Sequence, residues 1–146
     1  MTTSTVTPDQ YEAIREYFDT HTIPAGLGSE SGACTIAAIN LQLTGRLSDE
    51  LHPCMSPVIR GWVIRVQDSM PAEMRNSAEW KAAAVGIAGS ASPEHEDERK
   101  ALVLDWMWGT VLTTLQPAAE LLGFGAEWLA MTTNHTADYA LIAKRA

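Results

Sequence analysis

The sequence predicts an all-α fold, a single helical domain of about six helices over residues 8–146 behind a short flexible tail at 1–7. Three observations point there. Apolar residues recur at three-to-four-residue spacing along much of the chain. Pairs of a capping residue and a proline, as in Thr7-Pro8, Ser56-Pro57 and Ser92-Pro93, mark helix starts. The one strand-like run, Trp62 to Val66, is β-branched, but it lies inside a helical spacing and behind a helical cap.

The elements follow from these signals. Thr7 caps a first helix, Pro8 fits its first turn, and Gln10 completes a capping box. Tyr11, Ile14 and Phe18 then share one face, and the helix ends near Thr20. A loop rich in glycine and serine, residues 23–32, comes next. The second helix, from about Ser31 to Thr44, is apolar nearly all round and stops at Gly45, which suits a central position. Ser56-Pro57 opens a third helix with Ile59, Trp62, Val63, Val66 and Met70 on one face, and Pro71 breaks it. Ser77 caps a fourth, alanine-rich helix to about Ala88. The fifth runs from Pro93 to about Gln116, where Pro117 interrupts it, and its apolar content predicts a central helix. Two short helices follow, near Glu127–Thr132 and Ala137–Lys144.

Composition bounds the function. The chain has 146 residues and a net charge of −8, with 46% hydrophobic residues. That apolar share suits a globular protein, and the acidity argues against direct nucleic-acid binding, which needs a basic face. The charge is uneven: seven acids face two bases in residues 1–50, whereas residues 51–90 carry four bases against three acids. The longest uncharged stretch, Ser31 to Gly45, is 15 residues, short of the ~20 a spanning helix needs. The N-terminus has no basic or apolar run of a secretory signal, so the expected setting is cytoplasmic, with Cys34 and Cys54 reduced.

Candidate sites are few. Glu94, Glu96, Asp97 and Glu98 cluster at the start of the fifth helix, where carboxylates complement the dipole and can also meet a basic partner. Trp106 and Trp108 point in different directions, as does Leu102 from Leu104, so either the helix is surrounded or one side meets a partner. Asp105 interrupts this apolar run and reads as a buried charge paired with Arg60, Arg65 or Arg75. Cys34, near a helix start, is the one weak nucleophile candidate, with buried apolar cysteine as the plainer reading. His52 and Cys54 are the closest pair of metal-type ligands, with no CxxC and no zincin spacing. No cofactor is expected.

The stretches Ala33 to Leu41, Ile64 to Asn76 and Leu104 to Gly109 resemble a group of small uncharacterised bacterial proteins, some of them phage-borne. The resemblance implies a bacterial or phage setting and raises the expectation of an inhibitor of a host defence complex. It assigns no residue a role. The sequence thus points to a non-enzymatic module that binds a protein or a second copy of itself. A small thiol enzyme using Cys34 and a metal- or cofactor-binding bundle are the alternatives.

Overall fold

The computed structural model describes residues 5–135. They are mostly helical, and no described helix is long and apolar enough to cross a membrane. The chain divides into two compact units, Met1–Glu96 and Asp97–Ala146.

The first unit is built around α2. Helix α1, Pro8–Thr20, has the expected capping box: Thr7 accepts from the Gln10 amide, and the Gln10 side chain accepts from the Thr7 amide. Its face of Ile14, Tyr17 and Phe18 is buried. Val6, expected in a loose tail, belongs to the same core. Helix α2, Thr35–Thr44, is the buried centre, with Ile36, Ala37, Ala38 and Ile39 all at or below 1% exposure. Alanines at two of these four positions let neighbouring helices approach closely. Gly45 ends the helix in the left-handed conformation, with φ of 73°.

The segment before α2 departs from the sequence expectation. A helix starting near Ser31 is replaced by a small antiparallel hairpin, β1 at Gly28–Ser29 and β2 at Gly32–Ala33. Cys34 is consequently the N-cap of α2 rather than a first-turn residue. Gly28 is required there twice over. Its φ is +81°, and a Cβ would collide with the Gly32 carbonyl.

Helix α3, Pro57–Ser69, confirms the helical reading of Trp62–Val66, and Ser56 caps it by accepting from the Ile59 amide. Pro71 starts the one-turn α4, Ala72–Arg75, and Ser77 caps α5, Ala78–Val85. Trp62 and Trp80 meet between α3 and α5, with ring centroids 6.4 Å apart.

Polar side chains fasten the hairpin to this helical core. Arg75, 8% exposed, donates to the carbonyls of Ile23, Gln67 and Met70. Asn76 accepts from the Ile23 amide and donates to its carbonyl. Gln67 accepts from the Thr35 amide at 2.8 Å, and Asp68 accepts from the Gly26 amide at 2.9 Å. A loop cannot bond its own backbone fully, so these side chains supply the partners that a longer sheet would give.

The second unit begins within α6, Glu96–Trp106, which a 3₁₀ turn at Pro93–His95 introduces. A π turn at Met107–Val111 follows, then α7, Leu112–Thr114. Pro117 occupies the first turn of α8, Gln116–Leu121, and α9 is Gly125–Asn134. The fifth helix of the sequence reading is thus several pieces. It is not a buried centre, since α6, the π turn and α7 carry no buried residue. The helix expected at 137–144 lies outside the described residues.

Candidate interaction surface

The acidic start of α6 has structural duties. Glu96 is half-buried and accepts from the Ser56 hydroxyl at 2.7 Å, so it reinforces the residue that caps α3. Glu94 accepts from Ser92, and Asp97 pairs with Lys100 at 2.9 Å on the surface. Glu98 is exposed. Such carboxylates also complement the unpaired amides of the helix start.

The π turn reorganises the apolar faces beyond Trp106. A π turn holds one more residue than an α turn, so all later positions rotate by about 100°. Ala101 and Leu104 are therefore not in line with Val111, Leu112 and Leu115, which a regular helix would have placed in one stripe. The two tryptophans differ accordingly. Trp106 is 39% exposed, whereas Trp108 is half-buried and stacks on His135 with ring centroids 5.0 Å apart. Trp128 donates its indole N–H to the Leu112 carbonyl at 2.8 Å and lies against Phe124. Aromatic packing holds this unit together, while most of its leucines are exposed. Leu121 is 89% exposed, Leu122 73% and Leu102 63%, and Leu104, Leu115 and Leu129 are exposed too.

Asp105 corrects the sequence expectation. It is exposed, because the helix that carries it is not buried, and no buried ion pair is needed. Arg75, one of its expected partners, is instead committed to carbonyls.

Cys34 is 4% exposed, and its sulfur accepts from the Ala37 amide at 3.4 Å. Burial pushes its thiol above the ordinary value of 9.0, and the helix-start amides offset this only in part. A nucleophile needs the opposite shift. The nearest histidine in sequence, His21, stacks flat on Tyr17 at 4.1 Å, with Nδ1 against the Tyr17 carbonyl. Cys54 is fully buried, and its thiol is likewise raised by burial. His52 Nδ1 accepts from the Cys54 amide at 3.2 Å, which occupies one of the two ring nitrogens. Among the described residues no three His, Cys, Asp or Glu side chains are grouped to hold a metal.

Sequence reasoning singled out Leu102, Trp106 and Trp108 but passed over Leu121, Leu122 and Leu129. A signal for the first two was available. Leu121-Leu122 sits between Pro117 and Gly123, and so short a helix cannot turn both leucines inward. No family model, curated protein or solved structure matches this chain.

Proposed function

We propose that this chain is a non-enzymatic protein-binding module that works through the helices of residues 97–134, with a second copy of the chain as the occupant. The observation that carries the reading is the imbalance of this unit. Its buried residues among those described are Ala119, Met131 and Thr132, whereas six leucines and Trp106 are exposed. Seven large apolar side chains left in water on so short a stretch are a surplus that association can cover. Units below about 70 residues rarely stabilise themselves from one core, and association supplies the missing burial. Self-pairing also solves the problem with the residues already present, since an isologous contact sets the same leucines against each other. The inhibitory role implied by the resemblance would use this same surface.

Sedimentation velocity over a concentration series tests the proposal. A dimer is expected, and Leu121→Glu with Leu122→Glu should convert it to monomer at every concentration while leaving the helical spectrum of the core intact. A wild-type chain that stays monomeric at the highest concentration would overturn the reading.

A further inference from the structure

A second apolar surface lies in the first unit, where the end of α3, the short α4 and the first turns of α5 meet. It is a groove of about 600 Å³, walled by Met70, Met74, Trp80 and Ala83 and bordered by Glu73 and Glu79. All of it belongs to Met1–Glu96.

The groove combines a fixed wall with a compliant one. Trp80 donates its indole N–H to the Thr35 hydroxyl at 3.2 Å, and Thr35 is fully buried. That bond holds the indole in place, so its exposed part is a rigid aromatic wall. Met74 is 55% exposed and Met70 is half-buried. Methionines adapt to the apolar shape set against them, through three rotatable bonds and a polarizable sulfur.

The border carries charge of one sign. Glu73 and Glu79 are exposed, and among the described residues neither makes an ion pair or a side-chain hydrogen bond. The cations nearest in sequence are engaged elsewhere. Arg75 donates to backbone carbonyls, and Lys81 donates to the His21 carbonyl at 2.9 Å. No basic residue lines the groove. Each glutamate also lies in the first turn of its helix, where it complements the dipole. That accounts for each one singly, but together they border one apolar groove, and their charge selects its occupant.

An acidic partner would be repelled here, and a neutral one would strip water from two carboxylates and give nothing back. A small ligand would stay largely in water, because the groove is open along Met74 and Ala83. A helix brings its own cover. Its apolar residues at i, i+3 or i+4 and i+7 fill the groove, and the basic residues flanking that stripe meet Glu73 and Glu79. We infer that this groove docks a basic amphipathic helix of a partner protein. The inference stands apart from the association reading, since the leucines of that surface lie in residues 97–134.

Fluorescence anisotropy tests it with a labelled synthetic helix that has leucines on one face and lysines on the other. Two further peptides serve for comparison, one with glutamate in place of lysine and one with the leucine–lysine order scrambled. The leucine–lysine helix should bind saturably and at least about tenfold more tightly than either of them. Glu73→Gln with Glu79→Gln should weaken it by about tenfold, and Met74→Ala by about threefold, with the melting temperature of the protein kept. Glu16→Gln with Glu50→Gln makes the same charge change at exposed positions away from the groove. That pair should leave the affinity within about twofold of wild type. Absence of saturable binding, or affinity unchanged by both groove variants, would overturn the inference. So would equal weakening by the distant pair, which would reduce the attraction to net charge, or a glutamate or scrambled peptide that binds as tightly.

Discussion

Cys34 shows how one side chain reports its surroundings. Its thiol is held protonated by burial, which raises its pKa above the ordinary 9.0. In the unfolded chain that constraint is gone, so the unfolded thiol ionises first as pH rises. Stability from the neutral thiol is complete below the ordinary value and is lost as pH climbs through the raised one. Cys54 acts in the same direction. Denaturant midpoints should therefore fall on the alkaline side of 9.0, and Cys34→Ala should flatten that fall. A midpoint independent of pH there would show that the thiols are more accessible than their burial implies. Alkylation of Cys34 at neutral pH should be far slower than that of a free thiol, which separates it from an enzyme nucleophile.

Arg75 carries a second residue-scale prediction. Replacing it with Met keeps much of the volume but strips the donors from three carbonyls, that of Ile23 in the loop before the hairpin and those of Gln67 and Met70 at the end of α3. Leaving buried carbonyls unmet costs about 1–3 kcal/mol each, and solvent can reach some of them, so Arg75→Met should destabilise the fold by roughly 3 kcal/mol. A denaturation midpoint within error of wild type would mean that water satisfies all three.

At the scale of elements, glycine positions separate strain from crowding. Gly45 and Gly89 both adopt positive φ, 73° and 77°. A Cβ on Gly45 meets open space, whereas on Gly89 it collides with the Tyr11 hydroxyl. That hydroxyl donates to the Ala88 carbonyl at 2.9 Å. Gly45→Ala should cost only the left-handed penalty, about 1–2 kcal/mol. Gly89→Ala adds displacement of the tyrosine and loss of its bond, so it should cost more, and equal melting temperatures for the two variants would contradict this.

The elements also show what the sequence made legible. Local chemistry was readable: the Thr7 and Ser56 caps, the stop at Gly45 and the break at Pro71 each act within one turn of the residue that causes them. The hairpin at 28–33 was not, because four strand residues carry no periodicity and its fastening depends on Gln67, Asp68, Arg75 and Asn76, some 40 residues away. The π turn was hidden for a similar reason. Nothing in Met107 to Val111 departs from helix-forming content except Gly109, yet one added residue re-aims Val111, Leu112 and Leu115. Trp106 and Leu102 stand out within one long apolar run and were found, whereas Leu121 and Leu129 lie on α8 and α9, whose exposed faces depend on where those short helices break.

The whole molecule combines a unit with a buried central helix and a unit in which six leucines are exposed and three described residues are buried. Local opening free energy follows buried contact, so the two should exchange amide protons differently. Ile36 to Ile39 sit at or below 1% exposure and should open only with global unfolding. Residues 97–134, with three buried side chains among those described, should open far more readily when the chain is dilute. Association changes this by mass action, because a copy that binds only the folded surface stabilises it in proportion to the logarithm of its concentration. Protection in 97–134 should therefore rise with protein concentration, while protection in α2 stays constant. Leu121→Glu with Leu122→Glu should abolish the rise and leave α2 unaffected. Hydrogen exchange read by mass spectrometry at two concentrations decides the matter: protection of 97–134 that is high at both and indifferent to the double substitution would mean that these leucines are not what holds the second unit closed.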